Sequence, residues 1–177
     1  LAFDEAVNRW LGIAEDLHRQ GIRKLVLLNA HGGNSPLLTI VATEARVRFD
    51  MLVVATSWTR FGQPEGWITP ADKAIDIHGG DIETSVMLAL KPHAVTMSEA
   101  QNFRSSSEDR ARSFPILGNG RSAKLAWQMQ DYNVAGAAGN AAAATALKGQ
   151  ILLDAAGRAL ADLLLEIDRL PANTLKT

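Results

Sequence analysis

No cysteine occurs among the 177 residues, so disulfides and thiolate metal sites are both excluded. An excess of one charge is also missing. Eighteen Lys and Arg stand against 19 Asp and Glu, a formal net charge of −1, which leaves no electrostatic footprint for nucleic acid or an anionic membrane. No apolar run approaches the ~18 residues that a spanning helix needs, and no basic-then-apolar export signal opens the chain. These absences predict a cytoplasmic protein. The chain opens on Leu1, directly in a helical pattern, which predicts a processed, trimmed or partly represented sequence. Internal repeats are absent as well. What is present is apolar material: 47% hydrophobic against 21% charged residues supplies a core for one domain of ordinary size.

Periodicity organises that material. Residues 3 to 20 carry apolar positions at 3, 7, 10, 11, 14 and 17, a helical stripe, with Gly21 as its stop. KLVLLN (24 to 29) is short and aliphatic, a buried strand. Residues 35 to 49 read as a helix, with Asn34 or Ser35 as N-cap and Pro36 in the first turn. MLVVATSW (51 to 58) is the next strand, and 59 to 79 is turn-rich. Residues 81 to 90 form a short helix in which Asp81 can cap the start. Residues 98 to 123 are polar and irregular with some strand, 127 to 140 form a loop, and 141 to 170 form a long helix. Helices and strands alternating through short links predict an α/β domain, with a mainly parallel sheet flanked by helices, over residues 1 to 177.

Chemistry concentrates in two similar turns. In LVLLNAHGGNSP (25 to 36), His31 follows a strand end, where ligands bind in parallel sheets. Gly32 and Gly33 let the chain turn tightly and bring backbone N–H groups close. His31 is either a loop residue in a tight turn or a metal ligand or general base. No Lys-Ser/Thr follows and the pattern is not GxGxxG, so this is not a phosphate loop. IHGGDIETS (77 to 85) repeats the arrangement with His78, and Glu83 falls in the first turn of the next helix. Glu83 is either a favourable N-terminal charge or a ligand. Imidazole and carboxylate suit Zn²⁺ or Mn²⁺, and two such turns in one small domain favour a shared site. Trp58, Trp67 and Trp127 are candidates for a pocket wall or for core packing. Asp72 and Asp76 either orient the His78 ring or are solvated loop acids. His18 and His93 read as structural.

LVLLNAHGGN, followed about fifty residues on by HGGDIETSVMLAL, resembles the creatininase (creatinine amidohydrolase) family, which shows NGHGGN-like and HAGExETS-like turns. NFRSSS, LGNGRSAKLAW and GAAGNAAAATALKG extend the resemblance over most of the chain. It implies a three-layer α/β/α fold, a centre of up to two divalent ions (zinc, manganese or iron), hydrolysis of C–N bonds in small cyclic or linear amides, and often a homohexamer. It assigns His31 and Glu83 as metal ligands and His78 as the acid/base group; Asn34 and Asp76 are expected behind them from their places beside the two turns. Creatininase itself carries a glutamate where this chain has Gly33 and another where it has Ile77, which argues against creatinine as substrate. The family's N-terminal ExHGxHLPxxTD-like motif, source of a Glu, a His and an Asp for the metals, has no match here. The resemblance therefore covers the C-terminal two-thirds of the family domain, without its first strands.

In the chemistry this implies, a metal lowers the pKa of water from ~15.7 towards 7 and polarises the amide carbonyl. His78 delivers a proton to the leaving nitrogen, and the Gly32 and Gly33 N–H groups hold the oxyanion. Loops 58 to 70 and 127 to 140, with Trp58 and Trp67, shape the pocket. Two rivals stand beside this reading. A catalytically incomplete remnant would serve as an oligomerisation or interaction domain. A nucleotide-type binding domain would hold phosphate at Gly32 and Gly33.

Overall fold

The computed structural model describes residues 2–61, 74–118 and 121–175. The chain divides into two compact units, Leu1–Gly62 with Ala156–Thr177 and Gln63–Ala155.

In the first unit, helix α1 (Phe3–Arg19) has Asp4 and Glu5 in its first turn and His18 and Arg19 in its last, charges that suit the two ends of the helix dipole. Gly21, at φ 89°, ends it: its N–H donates to the His18 carbonyl and that of Ile22 to Leu17, the Schellman pattern that favours glycine. Strand β1 (Lys24–Asn29) pairs in parallel with β2 (Leu52–Ser57), in register from Lys24 opposite Leu52 to Asn29 opposite Ser57. Helix α2 (Ser35–Phe49) makes the crossover, with proline in its first turn and Asp50, at φ 53°, as a left-handed C-cap. Leu11, Ala14, Val41 and Ala45 are buried between α1 and α2, and Leu25, Leu27, Phe49 and Val53 pack against them. Burying a side chain such as Leu11 or Val41 contributes roughly 1.5–3 kcal/mol.

In the second unit, α3 (Asp81–Leu90) is followed by a two-residue strand β3 (Asn102–Phe103), antiparallel to β4 (Gly139–Asn140). Between them stands α4 (Ser107–Ser113), in a stretch whose polarity predicted an irregular loop. Its order comes from charge placement: Glu108 and Asp109 open the helix, Arg110 and Arg112 close it, and Arg104 forks onto Asp109 at 2.9 and 2.6 Å. The last helix, α5 (Ala146–Arg169), starts five residues later than periodicity suggested, because Ala141–Ala143 form a 3₁₀ turn. Thr145 sets the start, its hydroxyl accepting the Lys148 N–H at 3.2 Å.

The boundary between the units falls inside α5. Within the second unit its first turns approach α3 closely: a Cβ on Gly149 would stand 2.5 Å from the Ser85 carbonyl carbon and 2.9 Å from Val86 N. The described strands thus form two two-stranded sheets, one parallel and one antiparallel, in a mixed α/β chain. Among the described residues, no helix is long and apolar enough to cross a membrane.

Candidate functional site

Each unit holds one cluster of the residues singled out above. In the first unit, β1 ends on Asn29, which is only 4% exposed. Its side-chain Oδ1 accepts the His31 N–H and its Nδ2 donates to Ser35 Oγ, both at 3.1 Å. The Ser57 hydroxyl, at the end of β2, donates to the Asn29 carbonyl at 3.3 Å. His31 leaves the strand in extended conformation, and Gly32–Asn34 form a 3₁₀ turn closed by the Asn34 N–H onto the His31 carbonyl at 3.0 Å.

Neither glycine of this turn adopts a positive φ. At Gly33 the absence of a side chain has another use: a Cβ there would stand 3.0 Å from His31 Nε2 and 3.3 Å from Cδ2. The imidazole lies along the glycine backbone. A cavity of about 180 Å³ opens at the carboxyl ends of both strands, lined by Asn29, Ser35, Thr39, Thr56, Ser57 and Arg60, among others. Trp58 is half-buried and starts a 3₁₀ turn, Trp58–Arg60, after β2. Trp67 and Asp72 lie outside the described residues.

The second His-Gly-Gly turn has the same letters and a different geometry. His78 exchanges two backbone hydrogen bonds with Ala138, at 3.1 and 2.8 Å. Gly79 stands at φ 61°, a conformation glycine adopts without steric cost. Gly80 is buried, and a Cβ on it would meet Gly139 Cα at 2.9 Å and also the Asp76 carboxylate.

Gly80 is also the N-cap of α3, so the cap carries no side chain. Asp76 supplies one from outside the helix, its Oδ2 accepting the Ile82 N–H at 3.0 Å. Burial raises the Asp76 pKa above the usual carboxylate value, the charges of Asp81 and Glu83 raise it further, and the Ile82 and Asp81 N–H groups oppose them. Asp81, expected from the sequence to cap the helix, is its first residue and turns to other partners: Ser85 Oγ at 3.0 Å and Lys148 Nζ at 2.6 Å. Lys148 also donates to the Ala143 carbonyl at 2.8 Å, and the fully buried Ser85 hydroxyl accepts the Thr145 N–H at 3.1 Å.

Glu83 completes this cluster. Its Oε2 accepts the Gly79 N–H at 2.7 Å and lies 3.3 Å from His78 Nδ1. Both side chains are a little under half exposed, so the pair is open to a small molecule. Oε1 of Glu83 accepts no hydrogen bond among the described residues. His31 thus lies in one unit and the His78–Glu83 pair in the other. Among the described residues, no group of three His, Asp or Glu side chains gathers as metal ligands.

The remaining candidates sit in ordinary surroundings. Trp127 is partly exposed and meets Tyr132 edge-on at 4.7 Å. His18 stacks on Phe49 at 5.7 Å. His93 lies exposed in the 3₁₀ turn Pro92–Ala94. Sequence reading passed over Asn29, Ser85 and Lys148. For Asn29 a signal existed, since an amide closing an aliphatic run must find partners when buried. Nothing in the local sequence tells Lys148 from an exposed lysine.

Comparison with known proteins adds a family. The family model described as creatininase, creatinine amidohydrolase, matches residues 1–164. Among solved structures, a candidate creatinine amidohydrolase from Bacteroides fragilis NCTC 9343 is 27% identical, with a TM-score of 0.74 over 97% of this chain and 64% of that one. A creatininase mutant complexed with creatine is 25% identical, with a TM-score of 0.72 over 97% and 67%. A creatininase mutant of the Zn-Zn type is 25% identical, with a TM-score of 0.71 over 94% and 64%. The chain therefore spans about two-thirds of the length of the structures it matches. No curated protein matches it at a significant level.

Proposed function

The chain belongs to the creatininase family, and from that premise we propose that it serves a metal-dependent amidohydrolase, cleaving a C–N bond of a small cyclic or linear amide with water. The observation that carries this reading is the contact of His78 Nδ1 with Glu83 Oε2 at the start of α3. The donor chemistry fits a divalent ion, zinc first and manganese or iron as alternatives: an imidazole at a strand end and a carboxylate with one oxygen uncommitted. The candidate ligands are His31 in the first unit and Glu83 in the second. Such an ion supplies Lewis acidity to a carbonyl and acidity to a water.

The chain's own groups do the rest. Glu83 Oε2 fixes the proton of His78 on Nδ1, which leaves Nε2 as the atom that carries a proton to the leaving nitrogen. Because Oε2 is already engaged by the Gly79 N–H, the carboxylate does not rotate freely, and His78 inherits its orientation. Backbone N–H groups at Gly32 and Gly33 stand ready for the negative charge that develops on the amide oxygen. Asn34 and Asp76 support the two turns from behind, each within its own unit. A homohexamer in the cytoplasm belongs to the same proposal.

The test is elemental analysis after zinc and manganese supplementation and desalting, joined to turnover on a panel of cyclic and linear amides. Retained metal that is lost in His31→Ala, and turnover lowered ~10²–10⁴-fold in His78→Ala with metal retained, is the expected result. Full metal content in His31→Ala removes that residue from the ligand set. The rival reading, an oligomerisation domain without catalysis, has the exposure of Phe3 and Val47, at 70% and 74%, on its side. It predicts defined oligomers that hold no metal.

A further inference from the structure

We infer that Asn29 is the positioning residue of the metal-binding turn: its buried carboxamide fixes the His31 backbone and thereby the direction in which the imidazole is offered. The inference rests on the reading of His31 as a ligand. Three contacts meet on this one residue. Oδ1 holds the His31 N–H, Nδ2 holds the hydroxyl of Ser35, the first residue of α2, and the carbonyl takes the hydroxyl of Ser57 at the end of β2. The buried side chain thus ties the ligand to the start of the following helix, while the backbone carbonyl of the same residue takes up the end of β2.

The bond from the side chain to the N–H two residues on is an Asx turn, which Asp reproduces and Ser reproduces more weakly. Alanine at position 29 removes the acceptor and leaves the His31 N–H without its partner. Asp at 29 retains the acceptor, and the Ser35 hydroxyl can reverse to donate to its second oxygen. The constraint matters because the imidazole occupies the space that a Cβ on Gly33 would need: a rotation of the His31 backbone swings the ring out of that space. Groups that orient a ligand typically contribute 10–100-fold to metal affinity. An Asn that merely satisfied the core would influence stability and leave the affinity of the folded chain unchanged.

The experiment is an Mn²⁺ titration of the full chain, followed by paramagnetic broadening of the His31 ring signals by NMR, well below the melting temperature of each variant. Only four histidines are present, and comparison with His31→Ala identifies the signal. Asn29→Ala is expected to raise the apparent Kd at least ~10-fold, Asn29→Asp to restore most of it, and Asn29→Ser to fall between. Should Asn29→Ala fail to fold, the ordering of Asp below Ser carries the test. Unchanged Kd in Asn29→Ala or Asn29→Ser, or equal losses in Asp and Ala, overturns the inference while the His31 reading stands. Absence of broadening in the unmodified chain, or Mn²⁺ binding undiminished in His31→Ala, overturns the reading of His31 and the inference with it.

Discussion

Gly149→Ala tests a close approach of two helices within the second unit. The added methyl would stand where the Ser85 carbonyl group lies and 2.9 Å from Val86 N. No rotamer relieves this contact, because both partners are helix backbone, so α5 and α3 must separate. Overpacking of this kind costs roughly 1–3 kcal/mol, and a backbone obstacle belongs at the upper end. Alanine returns about 1 kcal/mol through its helix propensity. The net loss is therefore about 2 kcal/mol, or a fall in Tm of roughly 4–8 °C for a chain of this size. Gly157→Ala is the internal control on the same helix: nothing lies within 4 Å of its Cβ position, so it should gain about 1 kcal/mol and raise Tm by roughly 2–4 °C. Differential scanning calorimetry of the two variants under one buffer reads the contrast. A Gly149→Ala protein that melts at or above the parent temperature would refute the packing of α5 on α3 and the tie between Lys148 and Asp81 that depends on it.

Two other perturbations bear on the same unit. Asp76 has a native pKa above its unfolded value of 3.8, so between those two values the folded state binds more protons and stability falls as pH rises. Asp76→Asn should therefore show a flatter decline in urea-determined stability as pH rises above 3.8; an unchanged slope would mean that Asp76 is not the group responsible. Lys148→Met removes the cation from Asp81 and the donor from the Ala143 carbonyl. With the side chains about a third exposed, the expected loss is about 1 kcal/mol, measured by the same urea titration, and no loss would assign the contact to the surface.

Where the sequence carried a strong period, the structure follows it closely. β1, α2 and α3 occupy the residues their apolar spacing marked, and β2 is one residue shorter at each end because Met51 is buried before the strand and Trp58 begins a turn. The motif resemblance is borne out by the family match over residues 1–164. The start of α5 was misjudged because an alanine run satisfies helical propensity whether or not it is helical, and Thr145 with Lys148 decides where the first turn begins. Helix α4 was missed because six polar residues and one alanine carry no apolar stripe.

The two His-Gly-Gly turns look equivalent as text. What separates them is long-range: Gly80 is compressed by Gly139, fifty-nine residues away, whereas Gly33 meets only its own neighbour His31. Asn29 was readable in principle, as an amide at the end of an aliphatic strand. The partners of Asp81 were not, since Lys148 is separated from it by 67 positions.

The first unit is assembled from the two ends of the chain, and that has a consequence for its synthesis. Lys24 Nζ donates to the carbonyls of Ile167 and Asp168, at 2.8 and 2.7 Å, across sequence separations of 143 and 144. During translation, β1, α2 and β2 leave the ribosome well before the second half of α5 exists. At about 5–20 residues per second, the intervening segment takes roughly 5–20 s to emerge. For that interval the nascent parallel pair has an uncompleted partner surface, and the unit gains its last contacts only once the second half of α5 has emerged. Its kinetics should resemble those of a high-contact-order fold rather than of the local β–α–β segment it contains, with a window in which holdase chaperones find it.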